Sequence, residues 1–143
     1  MAYRVADLVD TPHLRLQVRA GAAGLDQPVA WAQTSDLEEP WSYLAGGELL
    51  MKNGQTLPES SRGQTALIRG LAEKGMCGLV IGLDAATPEL TTAAITLADQ
   101  LRFPVMVVPY SLGFAAIGRA VADAGADSGR VVATERVYDV IRQ

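Results

Sequence analysis

Cysteine and histidine are almost absent from this chain: Cys77 and His13 stand alone among 143 residues. A single thiol excludes an internal disulfide, and one thiol with one imidazole excludes the clustered ligands of a structural zinc site. No cofactor and no metal are expected. No apolar run approaches the roughly 20 residues that span a bilayer. The opening MAYRVADLVD has acidic residues where a signal peptide carries its apolar stretch. Basic residues are outnumbered, 12 Lys and Arg against 16 Asp and Glu, and the formal charge of −4 opposes attraction to nucleic acid or to an anionic membrane. A cytoplasmic location fits best.

Phosphate-binding signatures are missing as well. A Walker-type loop needs Gly-Lys-Ser/Thr at the start of a helix, whereas Lys52 stands between Met51 and Asn53. The glycines of GMCGLVIG, at 75, 78 and 82, lack the G-x-G-x-x-G spacing and lie in the wrong order around their strand. Neither motif supports nucleotide binding.

What is present is a globular composition, 49% hydrophobic and 20% charged, enough for one ordinary core. Residues 3–10 read as a short helix with Val5, Leu8 and Val9 on one side, ended by Pro12. HLRLQVRA alternates Leu14, Leu16 and Val18 with Arg15, Gln17 and Arg19, the period of a half-buried strand. GLDQPV reads as a hairpin-like connection to a second strand, Pro28–Thr34. Ser35 is placed to cap a short helical turn that Gly46-Gly47 stops.

The unbroken Leu49-Leu50-Met51 predicts a central strand covered on both faces. A helix follows from about Pro58 to Lys74, burying Leu67, Ile68, Leu71 and Ala72, with Gly75 as its terminal glycine. GLVIGL at 78–83 is a second buried strand. Thr87 and Pro88 are expected to open a helix through Leu90, Ala94, Leu97 and Leu101, and FPVMVVP is a third buried strand. Phe114, Ile117 and Val121 mark a helix that GADSG interrupts, with 124–129 as the plausible linker. RVVATERVYDVIRQ resumes helical spacing through Ala133, Val137 and Ile141, with Asp139 and Arg142 placed to pair. Strand and helix alternate from 48 to 109, which implies right-handed parallel crossovers. The expected fold is α/β: a single small domain with a mixed, largely parallel sheet flanked by helices, plus C-terminal helices.

Candidate chemistry is sparse. His13, beside Pro12, has no predictable partner, and Cys77 precedes a buried strand as a small core residue. Asp36, Glu38, Glu39 and Glu48 could hold a cation or act as acid and base, but Asp36 and Glu38 also suit a helix N-terminus. Trp31 and Trp41 suit a core or an interface as well as a ligand pocket. Asp84, after GLVIGL, has the placement of a phosphoacceptor without the paired acids that such a site needs.

Taken together, VADLVDTPHLRLQVRAGAAGLDQPVAWAQTSDLEEPWSYLAGGELLMKNG, LAEKGMCGLVIGLD and LADQLRFPVMVVPYSLGFAAI resemble the N-terminal domain of PucR-type transcriptional regulators, the purine catabolism regulator family. The resemblance runs from about Val5 to Val121. Its hallmark falls on Ser35, Asp36, Leu37, Pro40, Trp41, Leu44, Gly46, Gly47, Glu48, Leu49, Leu50 and Gly54. Relatives usually carry two threonines where this chain has Lys52 and Asn53. The resemblance implies a regulatory or signal-sensing domain, 1–125, followed by a helix, 126–143, leading towards a DNA-binding helix-turn-helix that this chain lacks. It implies a cytoplasmic regulator of catabolic genes, with DNA bound only through that downstream region.

The expected activity is therefore non-enzymatic. A small, unidentified effector is expected near the C-terminal ends of the parallel strands. Ser35, Asp36, Glu48, Lys52 and Asn53 are the polar candidates, Gly46, Gly47 and Gly82 permit close approach, and Trp41 closes the site. A homo-oligomer, joined through the alanine-rich helices after Leu112, is the second expectation. A substrate-binding module of a Mur-ligase-like or HPr-kinase-like enzyme is the alternative.

Overall fold

The computed structural model describes residues 2–37, 39–109 and 113–127. Along the chain come helix α1 (Val5–Val9), strands β1 (Gln17–Ala20), β2 (Trp31–Thr34) and β3 (Glu48–Asn53), helix α2 (Ser61–Glu73), strand β4 (Gly78–Gly82), helix α3 (Thr92–Leu101), strand β5 (Val105–Val108) and helix α4 (Gly113–Asp127). The strands form one sheet in the order β1-β5-β4-β3-β2. β2 to β5 are parallel, and β1 runs antiparallel to β5.

The unbroken apolar runs occupy the middle of that sheet, and every residue of β4 and β5 is buried. Helices cover both faces, so alternation to a polar side would bury polar groups. Leu50, Leu79, Ile81, Val105 and Val107 face α2 and α3, against Leu67, Ile68, Leu71, Ala94 and Ala98. Leu49, Met51, Val80, Met106 and Val108 face the other way, against Val5 and Leu8 of α1 and Phe114, Ile117 and Val121 of α4. Each large side chain buried this way contributes roughly 1.5–3 kcal/mol, which makes these two layers the main source of stability.

Several expected boundaries move. The first strand begins at Gln17, because Pro12–Leu14 form a 3₁₀ turn that buries Leu14 and Arg15 takes a left-handed φ of 60°. Its expected hairpin with the second strand does not form, since β1 and β2 lie on opposite edges of the sheet. The connecting segment turns back on the N-terminus: Val5 N–H donates to Gln27 O at 3.0 Å and Val29 N–H to Tyr3 O at 2.8 Å. Gly21 leaves β1 at φ +72°, with its N–H on the Asp99 carboxylate at 2.7 Å. A Cβ there would sit 2.0 Å from Phe103 O, so only glycine fits.

α2 starts at Ser61 rather than Pro58, capped by Ser60 Oγ, which accepts Gly63 N–H at 3.0 Å. α3 is capped by Thr91, not Thr87, because the hydroxyl of Thr87 is engaged with Asp84. No helix forms directly after Ser35; among the described residues between Ser35 and β3, the regular turn is the 3₁₀ segment Pro40–Ser42. α4 continues into the GADSG stretch as far as Asp127, and the rest of the expected linker lies outside the described residues. The final helix expected over 130–142 lies outside the described residues.

β1 carries one irregularity. Gln17 pairs with Val107 and Val18 with Met106, and then the register slips so that Ala20 meets Val105. Val18 packs with the α1–α4 layer and Ala20 with the α2–α3 layer, although two residues apart in a regular strand share a face. Arg19 is the extra residue of this bulge.

Candidate functional site

The C-terminal edge of the parallel strands gathers part of the hallmark. Asp36, just beyond β2, accepts Asn53 N–H on Oδ1 at 2.9 Å, Asn53 Nδ2 on Oδ2 at 2.9 Å and the Thr56 hydroxyl on Oδ1 at 2.9 Å. Ser35 donates its N–H to Met51 O at 3.1 Å, continuing the β2–β3 ladder, and its Oγ accepts Leu37 N–H at 3.3 Å. Burial pushes the Asp36 carboxyl up. The Asn53 and Thr56 hydrogen bonds and the nearby Lys52 charge outweigh that, and hold it below the ordinary value.

Lys52 lies between these contacts, facing the same way as Leu50, and is only 2% exposed. Burial lowers the pKa of its ammonium, and the charge of Asp36 offsets only part of that effect. Among the described residues no acceptor hydrogen-bonds it. A buried cation in such surroundings costs several kcal/mol unless paired.

The rest of the hallmark lies at the other end of β3, roughly 17 Å away at strand rise. Glu48 folds back so that Oε1 accepts Gly46 N–H at 2.6 Å and Oε2 accepts Ala45 N–H at 3.3 Å. Gly46 and Gly47 take φ of 109° and 82°, and Gly47 N–H donates to Gly75 O at 2.8 Å. These three residues build the turn into β3. Ser35, Asp36, Lys52, Asn53 and Gly82 share the C-terminal edge, Asn53 and Gly82 as register partners. Trp41 belongs to the 3₁₀ turn, and its side chain lies outside what is described, as does Glu38.

Asp36 thus holds the exit of β3 rather than a helix N-terminus. Trp31 is 52% exposed and is not a core anchor. Cys77 is buried, and burial first, with the nearby Glu48 charge adding, pushes its thiol up to about 12, which fits a core residue. Among the described residues no group of three or more His, Cys, Asp or Glu could hold a metal ion. No helix among them is long and apolar enough to cross a membrane.

Three features escaped the sequence. Thr56 completes the Asp36 cradle, and its only signal is its place three residues after Asn53. Gln64, 1% exposed, donates Nε2 to Pro58 O at 2.8 Å and to Glu89 O at 3.0 Å while Oε1 accepts Thr91 N–H at 2.9 Å. It pins the loop after β4 to α2. That loop and β1 enclose a cavity of about 450 Å3 on the α3 side of the sheet, lined by Arg19, Leu57, Ile81, Asp84, Glu89 and Val107 among others.

The sequence matches the model of the purine catabolism regulatory protein-like family over residues 7–124. It is 40% identical over 122 residues to the transcriptional activator PmfR of Paenarthrobacter nicotinovorans, covering 85% of this chain and 26% of that protein. It is 29% identical over 90 residues to the purine catabolism regulatory protein of Bacillus subtilis (strain 168), covering 63% of this chain and 17% of that protein. The chain therefore spans about a quarter or less of the length of these relatives.

Proposed function

Because the chain belongs to the purine catabolism regulatory protein-like family, whose relatives here are transcriptional regulators, we propose that it is the signal-sensing part of such a regulator. It binds a small metabolite at the C-terminal edge of its parallel strands and performs no catalysis. Contact with DNA belongs to a helix-turn-helix elsewhere in the whole protein. The regulated genes serve catabolism.

The observation that carries the proposal is the meeting of Asp36, Lys52 and Asn53 at that edge, with a buried ammonium that no described residue hydrogen-bonds. In open α/β sheets this edge is where ligands sit. Perturbed, buried charge is concentrated at functional sites. Gly46, Gly47 and Glu48, at the opposite edge, serve the fold of the entry turn. Isothermal calorimetry of the 143-residue chain against a panel of small amines, carboxylates and heterocycles is the test. Heat of binding from at least one class is expected, and a silent panel on folded protein would overturn the sensing role.

Self-association is the second reading, favoured by the outer surface of α4. Ala115, Ala116 and Ala120 line a shallow groove of about 520 Å3 with His13, Arg119 and Asp123 at its sides. Small side chains there let a second helix approach closely. Sedimentation at high concentration is expected to show a dimer, and a strict monomer removes the idea.

A further inference from the structure

The cavity beside β1 is lined by charges of both signs over an apolar floor. Ile81 and Val107 of the sheet, Leu57 and Ile95 form the floor. Arg19 lines the cavity from β1, and Asp84 and Glu89 line it from the loop after β4. Strict alternation would not bring both Arg19 and its neighbour Ala20 to the α3 side. The bulge does so, seating Ala20 in the core and leaving Arg19 in the cavity wall. Bulges are a recurrent means of re-aiming a side chain beside a binding site.

The wall is built, and two of its charges, those of Arg19 and Glu89, are uncommitted among the described residues. Asp84 Oδ1 accepts Ala86 N–H at 2.8 Å and the Thr87 hydroxyl at 3.1 Å, which fixes the loop. Gln64 fixes the loop's far end. Yet among the described residues the Arg19 guanidinium makes no hydrogen bond or ion pair, and neither does the Glu89 carboxylate. β1 and β4 are separated by β5, so Arg19 and the loop after β4 stand about two strand spacings apart, roughly 10 Å between backbones. A volume of about 450 Å3 suits a small organic molecule.

We infer that this cavity is the effector seat, and that it takes a compact molecule with a carboxylate at one end and an ammonium at the other, joined by an apolar spacer. The inference rests on the sensing role proposed above and gives that role a place and a ligand class. Arg19 receives the carboxylate and Glu89, with Asp84, receives the ammonium, while the spacer lies on Ile81 and Val107. The seat is joined to the hallmark through one turn. Leu57 lines the cavity directly after the Gly54–Thr56 turn, whose Thr56 is bound to Asp36. Gly54 permits the close fit, because a Cβ there would stand 2.0 Å from Thr87 Oγ1 and 2.6 Å from Gly82 O. Pressure on Leu57 therefore reaches Asp36, and through it Lys52.

The test is calorimetric titration of the 143-residue chain with 6-aminohexanoate, its isomer norleucine, hexanoate and hexylamine, repeated on Arg19→Met and Glu89→Gln. Both side chains are exposed, so the variants should fold, which circular dichroism checks. Expected is binding of 6-aminohexanoate in preference to norleucine, weakened at least about tenfold by R19M. Hexanoate should lose with R19M only, and hexylamine with E89Q only. Binding of any probe with affinity unchanged in both variants overturns the seat and leaves the sensing role standing. So does silence of these four probes when another class of the metabolite panel binds. Silence of the whole panel overturns both.

Discussion

Asn53 holds Asp36 with two donors at once, its backbone N–H and its side-chain amide each 2.9 Å from a different carboxylate oxygen. With the Thr56 hydroxyl this makes three hydrogen bonds that tie the segment after β2 to the exit of β3. Asp36→Ala is expected to lower stability by about 1–2 kcal/mol, the lower range for bonds to a charged group, because the carboxylate is exposed to water. The Asp36 carboxyl is held below its ordinary value in the fold. Its contribution is therefore present above the unfolded carboxyl range and lost as pH falls through the folded value. Urea midpoints measured from neutral to acid pH should fall less steeply in Asp36→Asn; parallel curves would show that the cradle does not stabilise the fold.

Lys52 has a dependence of the same sign, displaced to alkaline pH. The folded state disfavours its charged form, so between the lowered folded value and the unfolded value near 10.4 the unfolded chain holds more protons. Stability contributed at this site should rise with pH across that window. Lys52→Met, of similar volume and without charge, is expected to be within about 1 kcal/mol of the parent or more stable at neutral pH, and to flatten the alkaline rise. Denaturant titration up to alkaline pH distinguishes this from a Lys52 that Asp36 needs, for which the substitution would be clearly destabilising.

Gln64 bridges three backbone groups from inside the protein. Gln64→Ala leaves Pro58 O, Glu89 O and Thr91 N–H without that partner, at about 1–3 kcal/mol for each group that stays dry. A loss of at least about 3 kcal/mol in a urea melt is expected. Hydrogen exchange should quicken at Thr91, and an unchanged melt would mean that water replaces the amide.

Cys77 should be chemically silent in the fold. It is 2% exposed and its thiol is pushed up to about 12, so the reactive thiolate is scarce at neutral pH. A disulfide reagent is expected to label it slowly in buffer and rapidly in urea. Equal rates in both would contradict its place in the core.

The central sheet was legible because its residues face apolar layers on both sides. Leu49-Leu50-Met51, Leu79-Val80-Ile81 and Val105–Val108 cannot be anything but buried, and local composition carries that information. Edges were harder to read. Leu14, Leu16 and Val18 alternate like a strand, yet Pro12 starts a 3₁₀ turn and the bulge at Arg19 changes the phase. The supposed hairpin failed because β1 finds its partner through Met106 and Val107, a pairing that no neighbouring residue encodes. In the hallmark, sequence adjacency hid distance: Glu48 and Lys52 are four residues apart but stand near opposite ends of one strand. Thr87 resembled a cap because Pro88 follows it, and only the contact with Asp84 shows its actual role.

The antiparallel edge also sets an order of assembly. Gln17 is synthesised early, but its register partner Val107 emerges only after the other four strands' chain has almost all been made. During synthesis β1 has no sheet to join, and β2, β3 and β4 can pair while it waits. A contact so distant in sequence closes slowly, since the loop entropy is lost before the pairing rewards it. Docking of the N-terminal strand onto β5 therefore waits for β5 to be made, and it is the step that carries Arg19 to the cavity wall. A nascent chain halted before residue 105 would hold β2, β3 and β4 but neither β5 nor the partner that seats β1, so the cavity wall would be incomplete.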